Sequence, residues 1–237
     1  MKSWISTNGV QVIPLLFGRS NVFLVISGEK KLLVDTSISQ FKRKLVRKLK
    51  KLKIEKIDYL VLTHTHFDHA GNAHFIKEHF GAQVIVHQSE KINLETGTNR
   101  MPIAKNRVFN HLLQRVSKAF QKTASYTPCK ADITFDEHFE FEQPDIKGYL
   151  MSTPGHSLGS ISFIIDDQFA IVGDEMFGIL KYKGVPPFVE DIPTLVHSWG
   201  KLLQTNASLY FSGHGAAKTK KEVEEMYQEW NAKIQLL

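Results

Sequence analysis

The segment 63–69 places three histidines and an aspartate directly after an apolar, strand-like run. If the chain stays extended through His66, the side chains of His64 and His66 point to one face, because side chains alternate along a strand. Asp68 and His69 follow one step further on and can turn toward a second ion. Imidazole and carboxylate groups are ligands of zinc and of similar metals. The spacing therefore predicts a metal site at the end of this strand.

Three further candidate ligands, His156, Asp174 and His214, share one sequence context. Each directly follows a glycine that comes after a β-rich run, and glycine permits the tight backbone conformations found where strands end. If these runs belong to one layered core, their ends meet at one rim. The sequence then predicts that seven candidate ligands come together there.

Five imidazoles and two carboxylates exceed the four ligands of an ordinary zinc site, but they suit two ions. Metal one takes His64, His66 and His156; metal two takes Asp68, His69 and His214; and Asp174 bridges the two ions. Each ion keeps an open position for water, which is typical of catalytic rather than structural sites. We predict two zinc ions per chain, and iron or manganese would also suit these ligands.

These motifs resemble those of the metallo-β-lactamase superfamily. THTHFDH is similar to the family's H-x-H-x-D-H signature, STPGHS and SGHG to its later histidine motifs, and VGD to its bridging aspartate. The resemblance implies a four-layer αββα sandwich of the α/β class, formed by one domain over residues 1–237, with the metals on one edge. It also implies that Asp35, in LLVDTS, orients a ligand without being one. The seven-ligand set is similar to that of the glyoxalase II and lactonase-like branch and of the ribonuclease Z group.

The elements that must position these residues are visible as alternating strand-like and helix-like runs, which favour an α/β fold. We expect strands at 10–16, 22–26, 32–34, 59–62, 84–86, 133–141, 149–151, 161–165, 169–172 and 209–211. We expect helices at 39–52, 72–79, 102–122, 194–203 and 220–234. Residues 89–130 are expected to form a helical insertion over the active site.

The resemblance implies a metal-dependent hydrolase that uses a metal-bridging hydroxide to cleave a small ester, thioester or lactone. Asp68 is the predicted catalytic residue, because it can orient the attacking water or pass its proton to the leaving group. The apolar and aromatic segment after the bridging aspartate is the expected substrate contact, through Phe177, Lys181 and Tyr182.

The net charge of +6 is local rather than general. Nine cations between Lys42 and Lys56 face only Glu55, so this segment carries +8 and the remainder of the chain −2. Apolar residues recur there at helical spacing, which indicates an amphipathic helix with a basic outer face. A solvated face is the favoured interpretation, so the expected partner is a small-molecule substrate and not a nucleic acid.

The single cysteine, Cys129, excludes an internal disulfide and favours a reducing compartment. The first residues lack the apolar region of a signal peptide, and no run approaches the ~18 apolar residues of a membrane span. We therefore expect a cytoplasmic protein without a membrane span, and nothing in the sequence indicates an oligomeric state.

Two other activities stay open at this point. A phosphodiesterase or nuclease of the same fold would need the basic helix face on the metal side. A mononuclear iron enzyme such as a persulfide dioxygenase would use His64, His156 and Asp174 as a triad of two histidines and one carboxylate.

Overall fold

The structure, a computed structural model, describes residues 3–18, 20–98, 125–179 and 184–236 of the chain. Its strands are β1 Trp4–Ile5, β2 Gln11–Leu16, β3 Val22–Ser27, β4 Lys30–Val34, β5 Tyr59–Val61, β6 Gln83–His87, β7 Ile133–Phe135, β8 His138–Glu140, β9 Gly148–Ser152, β10 Ile161–Ile165, β11 Phe169–Gly178, β12 Leu209–Gly215 and β13 Lys218–Thr219. Its helices are α1 Lys42–Lys51, α2 Phe67–Ala70, α3 Ala73–Phe80, α4 Lys91–Thr96, α5 Ile192–Leu203 and α6 Lys220–Gln235, with 3-10 turns at Ser39–Phe41 and Gln88–Glu90.

The strands form two sheets within the described ranges. The first sheet runs β1-β2-β3-β4-β5-β6-β7, and its last four strands are parallel. The second sheet runs β13-β12-β11-β10-β9-β8, with β11 and β12 parallel. Since parallel strands end at the same edge, β4, β5 and β6 bring the chain segments that follow them to one side of the first sheet.

Four layers result from the alternation of side chains along the strands. Leu32 and Val34 face the second sheet, whereas Leu33 between them faces outward toward α1 and α3. In the second sheet, Phe163 faces inward and Ile164 faces outward toward α5 and α6. One apolar core thus lies between the sheets and another lies under each helical layer, which confirms the predicted αββα sandwich.

Helices α1, α3, α5 and α6 begin and end within three residues of the predicted bounds, whereas the short helices α2 and α4 were not predicted. Asp191 accepts a hydrogen bond from the Thr194 backbone N–H at 2.8 Å and starts α5. Thr219 and Glu222 form a capping box at the start of α6. The basic helix α1 packs on the first sheet through Leu45 and exposes its cations in the outer layer, as its pattern indicates.

Three strand predictions need correction, and one of them is the run 209–211, because β12 continues to Gly215. The apolar run 133–141 is not one strand, because the turn at 136–137 sends β7 into the first sheet and β8 into the second. The run beginning at Phe169 does not end at Val172, because β11 continues through a register shift at Gly173 to Gly178. Asp174 and His214 therefore lie inside strands, where an irregular ladder rather than a strand end turns their side chains.

The predicted helix at 102–122 lies outside the described residues, as does most of the predicted insertion 89–130. In the described part of that segment, α4 is a short helix that ends at Gly97 in the left-handed conformation. The domain prediction for 1–237 stays a prediction. None of the helices in the described ranges combines the length and apolarity needed to cross a bilayer.

Candidate metal centre

The structure brings the seven predicted ligands together at one edge of the sandwich. His64 and His66 lie in the extended segment after β5, while Asp68 and His69 lie in α2. The second half contributes His156 from the turn after β9, Asp174 from β11 and His214 from β12. Possible ligand atoms of these residues lie within 4.8 Å of one another in three overlapping groups: His64, His66, His156; His64, His69, Asp174; and Asp68, His69, His214.

The first group contains three imidazoles whose ring nitrogens converge. His156 Nε2 lies 3.2 Å from His64 Nε2 and 3.0 Å from His66 Nδ1. A tetrahedral zinc ion with Zn–N bonds of about 2.0–2.1 Å holds its nitrogens about 3.3 Å apart. The spacing of these nitrogens is thus close to that of a zinc site.

A second set of possible ligands, drawn from the other two groups, combines two carboxylates with two imidazoles: Asp68, Asp174, His69 and His214. His214 Nε2 lies 3.2 Å from Asp68 Oδ2 and 3.4 Å from Asp174 Oδ2. His69 Nε2 lies 3.3 Å from Asp174 Oδ1. Asp174 Oδ2 is also 3.7 Å from His156 Nε2, so this carboxylate lies between the group of three imidazoles and the other ligands of the second set.

Hydrogen bonds fix which ring nitrogen His156 and His64 present to the other ligands. His156 Nδ1 donates to the backbone oxygen of Phe188 at 2.6 Å, which leaves Nε2 with a lone pair that faces the other histidines. His64 Nδ1 lies 3.2 Å from Thr63 Oγ1, which in turn donates to Asp35 Oδ2 at 2.8 Å. These second hydrogen bonds select the tautomer that suits a metal ligand.

Asp35, the aspartate of the motif LLVDTS, lies directly after β4. It is buried, and both of its carboxylate oxygens accept hydrogen bonds from neighbouring groups. It contacts no candidate ligand atom that faces the other ligands, since it meets His69 at Nδ1 and not at Nε2. Its contacts are those of a residue that orients ligands.

The pKa values of the site histidines shift in opposite directions: those of His64 and His156 fall, and those of His69 and His214 rise. Burial lowers the pKa of His156 to about 4 and that of His64 well below its usual value. Burial also opposes the charged forms of His69 and His214, but the carboxylates around them outweigh it, and the pKa of His214 rises to about 9. Despite burial, His69 and His214 hold the pKa of Asp174 well below its usual range.

Two buried polar atoms in this cluster lack a hydrogen bond to any described residue, namely His69 Nε2 and Asp174 Oδ1. They are 3.3 Å apart but lack hydrogen-bond geometry. Nearly all buried polar atoms in proteins are paired. A metal ion between these two atoms would accept a lone pair from each and satisfy both. The imidazole and carboxylate donors fit zinc and other divalent transition metals.

The predicted substrate contacts are only partly described. Phe177 is buried, with its ring 4.8 Å from that of His214. Lys181 and Tyr182 lie outside the described residues. These three residues stay predictions.

Sequence reasoning missed two groups at this centre. One is the backbone oxygen of Phe188, which no side-chain pattern indicates. The other is Glu175, a fully buried carboxyl whose Oε1 accepts a hydrogen bond from the His156 backbone N–H at 3.1 Å. Burial raises the pKa of Glu175 well above its usual value. An acidic residue in an otherwise apolar strand is the signal that could have found it.

Comparisons with known proteins agree with this geometry. A sequence model of the metallo-beta-lactamase superfamily matches residues 15–214. The probable metallo-hydrolase MJ0888 of Methanocaldococcus jannaschii is 32% identical over 161 residues, which cover 67% of this chain and 68% of that protein. The hydroxyacylglutathione hydrolase GloC of Haemophilus influenzae is 27% identical over 217 residues, 89% of this chain and 92% of that protein.

Solved structures show the same fold. The archaeal metallo-beta-lactamase superfamily protein ST1585 from Sulfolobus tokodaii superimposes with a TM-score of 0.62 at 21% identity, over 94% of this chain and 86% of that one. The family match covers all seven candidate ligands and most strands of both sheets. The chain belongs to the metallo-beta-lactamase superfamily.

Proposed function

We propose that this chain is a hydrolase with two zinc ions that cleaves a small ester, thioester or lactone. The observation that carries the proposal is the position of Asp174. Its Oδ2 lies 3.7 Å from His156 Nε2 and 3.4 Å from His214 Nε2. One carboxylate between two groups of ligands supports a pair of ions that share a bridging ligand.

In this proposal each group of side chains holds one ion. Metal one is held by His64, His66 and His156; metal two by Asp68, His69 and His214; and Asp174 is shared. When bound, the ions supply a water of lowered pKa and polarise the carbonyl oxygen of the substrate. The hydrogen bonds of Asp35 and of the Phe188 carbonyl are made to the Nδ1 atoms of His69 and His156, so each ring turns its Nε2 toward the other candidate ligands.

Asp68 is the residue to which we assign proton transfer. Its side chain is 20% exposed, whereas that of His69 is completely buried, so water and substrate reach Asp68. Burial works against its charge, but His69 and His214 lower the pKa of Asp68, which is therefore a carboxylate at neutral pH. A carboxylate at this point can accept a proton from the attacking water and return it to the leaving atom.

The rim of the site supports a substrate with an apolar part. Phe188, whose carbonyl binds His156, is 54% exposed, and Leu158, two residues beyond that histidine, is 60% exposed. Exposed apolar side chains beside a polar centre are typical of a site for a small molecule. The name of the Haemophilus influenzae relative, a hydroxyacylglutathione hydrolase, also favours an acyl substrate carried on sulfur.

The nuclease alternative gains no support from the basic helix. The cations of α1 face solvent in the outer helical layer, on the side of the helix opposite to the buried Leu45 and Leu49. A small-molecule substrate is the interpretation that this arrangement favours. Cytoplasmic localisation stays a prediction that rests on the single cysteine.

Metal analysis of freshly purified protein, followed by a substrate screen, tests the proposal. We expect two zinc ions per chain, turnover of an ester, a thioester or a lactone, and loss of both in Asp174→Asn. Two ions together with turnover of phosphodiesters alone would overturn the substrate class. One iron per chain with oxygen consumption would overturn the hydrolase and favour the dioxygenase.

A further inference from the structure

Glu90 is a buried carboxylate that contacts chain segments from both halves of the sandwich. It ends the 3-10 turn that follows β6, and only 5% of the residue is exposed. Thr65 Oγ1 donates a hydrogen bond to Glu90 Oε2. Ser157 Oγ donates to Glu90 Oε1 at 2.7 Å. Both donors are buried as well, and hydrogen bonds are stronger in such surroundings than in water.

The two donors are the immediate neighbours of the proposed metal-one ligands. Thr65 lies between His64 and His66, and Ser157 directly follows His156. A single carboxylate thus ties the ligand pair of the first half to His156, the metal-one histidine of the second half. The distances of 3.0 and 3.2 Å between the ring nitrogens depend on how closely these two segments approach.

The surroundings of Glu90 hold it in one position. Asn93 Nδ2 donates to its Oε2 at 3.4 Å, and the Tyr126 hydroxyl donates to the backbone oxygen of Thr65 at 2.9 Å. A Cβ atom at Gly159 would collide with the Glu90 side chain. The loop after His156 therefore packs directly on Glu90, and a larger residue at position 159 would push the two apart.

We propose that Glu90 is a positioning residue, which joins Thr65 to Ser157 and thereby sets the distance between His156 and the pair His64–His66. Both of its oxygens are occupied by hydrogen bonds, so Glu90 acts through these neighbours and not as a ligand. The inference rests on the proposed two-ion site and adds that one side chain controls metal one alone. Loss of an outer hydrogen-bond partner typically weakens metal binding by about 10- to 100-fold.

The test is a cobalt(II) titration of metal-free protein, read by visible absorption and by competition with a chelator, to give a dissociation constant for each site. Glu90→Gln replaces one acceptor oxygen by an NH2 group, so one hydroxyl loses its acceptor. Ser157→Ala is the milder second variant. Reference variants His66→Ala and Asp68→Ala identify the signals of metal one and metal two.

Asp132→Asn is the matched control for a carboxylate-to-amide change. Asp132 accepts hydrogen bonds from the Val84 backbone N–H at 2.8 Å and from Lys77 Nζ at 2.6 Å, near the start of β6 and thus at the edge away from the ligands. The thermal midpoint of each metal-free variant is measured in parallel. The control is expected to lower that midpoint without changing the ratio of the two dissociation constants.

We expect Glu90→Gln and Ser157→Ala to weaken metal one by about 10-fold or more while metal two keeps its affinity. The double variant should lose no more than Glu90→Gln alone, because both changes break one link. Equal weakening of both sites, or a lower thermal midpoint with an unchanged ratio, overturns the inference. Wild-type protein that binds fewer than two ions overturns the proposed function itself, and that result is visible before any variant is made.

Discussion

Asp35 and His69 are joined by a hydrogen bond of 2.8 Å between Oδ2 and Nδ1, and both residues are buried. The same oxygen accepts the Thr63 hydroxyl, which lies against His64. One carboxylate therefore orients a proposed ligand of each ion. The backbone at Asp35 is left-handed, with a φ of 60°, and this turn directs the carboxylate back under the ligand loop.

Asp35→Asn is expected to weaken binding of metal two by about 10- to 100-fold. The uncharged amide offers one acceptor oxygen, so its NH2 group faces either the Thr63 backbone N–H or the pair of donors from Thr63 and His69. Asparagine tolerates the left-handed backbone, so the change tests the carboxylate and not the turn. Competition with a chelator measures the loss. Asp166→Asn is the matched control, since Asp166 also has a positive φ but lies in the exposed turn after β10. Similar metal binding in the two variants would contradict the role of Asp35.

Asp174→Asn is expected to lower the metal content and the turnover together. Turnover should fall by more than the roughly 100-fold that follows the loss of an outer hydrogen bond. The reason is that the Asp174 carboxylate faces both groups of ligands. Elemental analysis and a rate assay on the same preparation measure the two effects. His74 is exposed on α3, and His74→Ala should change neither quantity, with a stability change within about 0.5 kcal/mol. Two bound ions and normal turnover in Asp174→Asn would refute the ligand assignment.

Gly213→Ala is expected to reduce metal affinity, because a Cβ at this position would lie 2.7 Å from His69 Cε1 and would collide with the Asp174 carboxylate. The backbone there needs no positive φ, so the effect comes from the two displaced ligands. Gly200→Ala adds the same methyl group in α5, 3.2 Å from the Tyr227 ring, and should leave metal affinity unchanged. Metal titration of both variants decides the matter, and equal affinities would show that the ligands yield to the added atom.

Cys129 is expected to resist alkylation in the folded protein. Burial raises the pKa of its thiol to about 11, so little of the reactive thiolate exists at pH 8. The raised pKa contributes stability that is present below the unfolded value of about 8.5 and is lost as the pH rises toward 11. Iodoacetamide labelling at pH 8, followed by mass spectrometry with and without guanidinium, measures the protection, and Cys129→Ala gives the background. Labelling of the folded chain at the rate of the unfolded one would contradict this burial.

Much of the fold follows from local patterns. The unbroken apolar run Leu32, Leu33 and Val34 predicts a strand with two covered faces, and the structure places this strand inside the first sheet. The apolar spacing of α1 likewise predicts one buried stripe, since the pattern repeats with the period of the helix. The run 133–141 is different, because its local pattern does not reveal which partner strand each of its two parts meets. Only the partners available to β7 and β8 separate them into two sheets.

The sequence by itself determined which residue types were available as ligands and that His64 and His66 share a face, because side-chain direction along an extended segment is a local property. The tertiary structure decided how these ligands meet those of the second half. Asp174 reaches the site from inside β11, where the ladder shifts register, and Glu90 reaches it through Thr65 and Ser157. Such contacts depend on the packing of two sheets across a shared core, which no short-range pattern encodes.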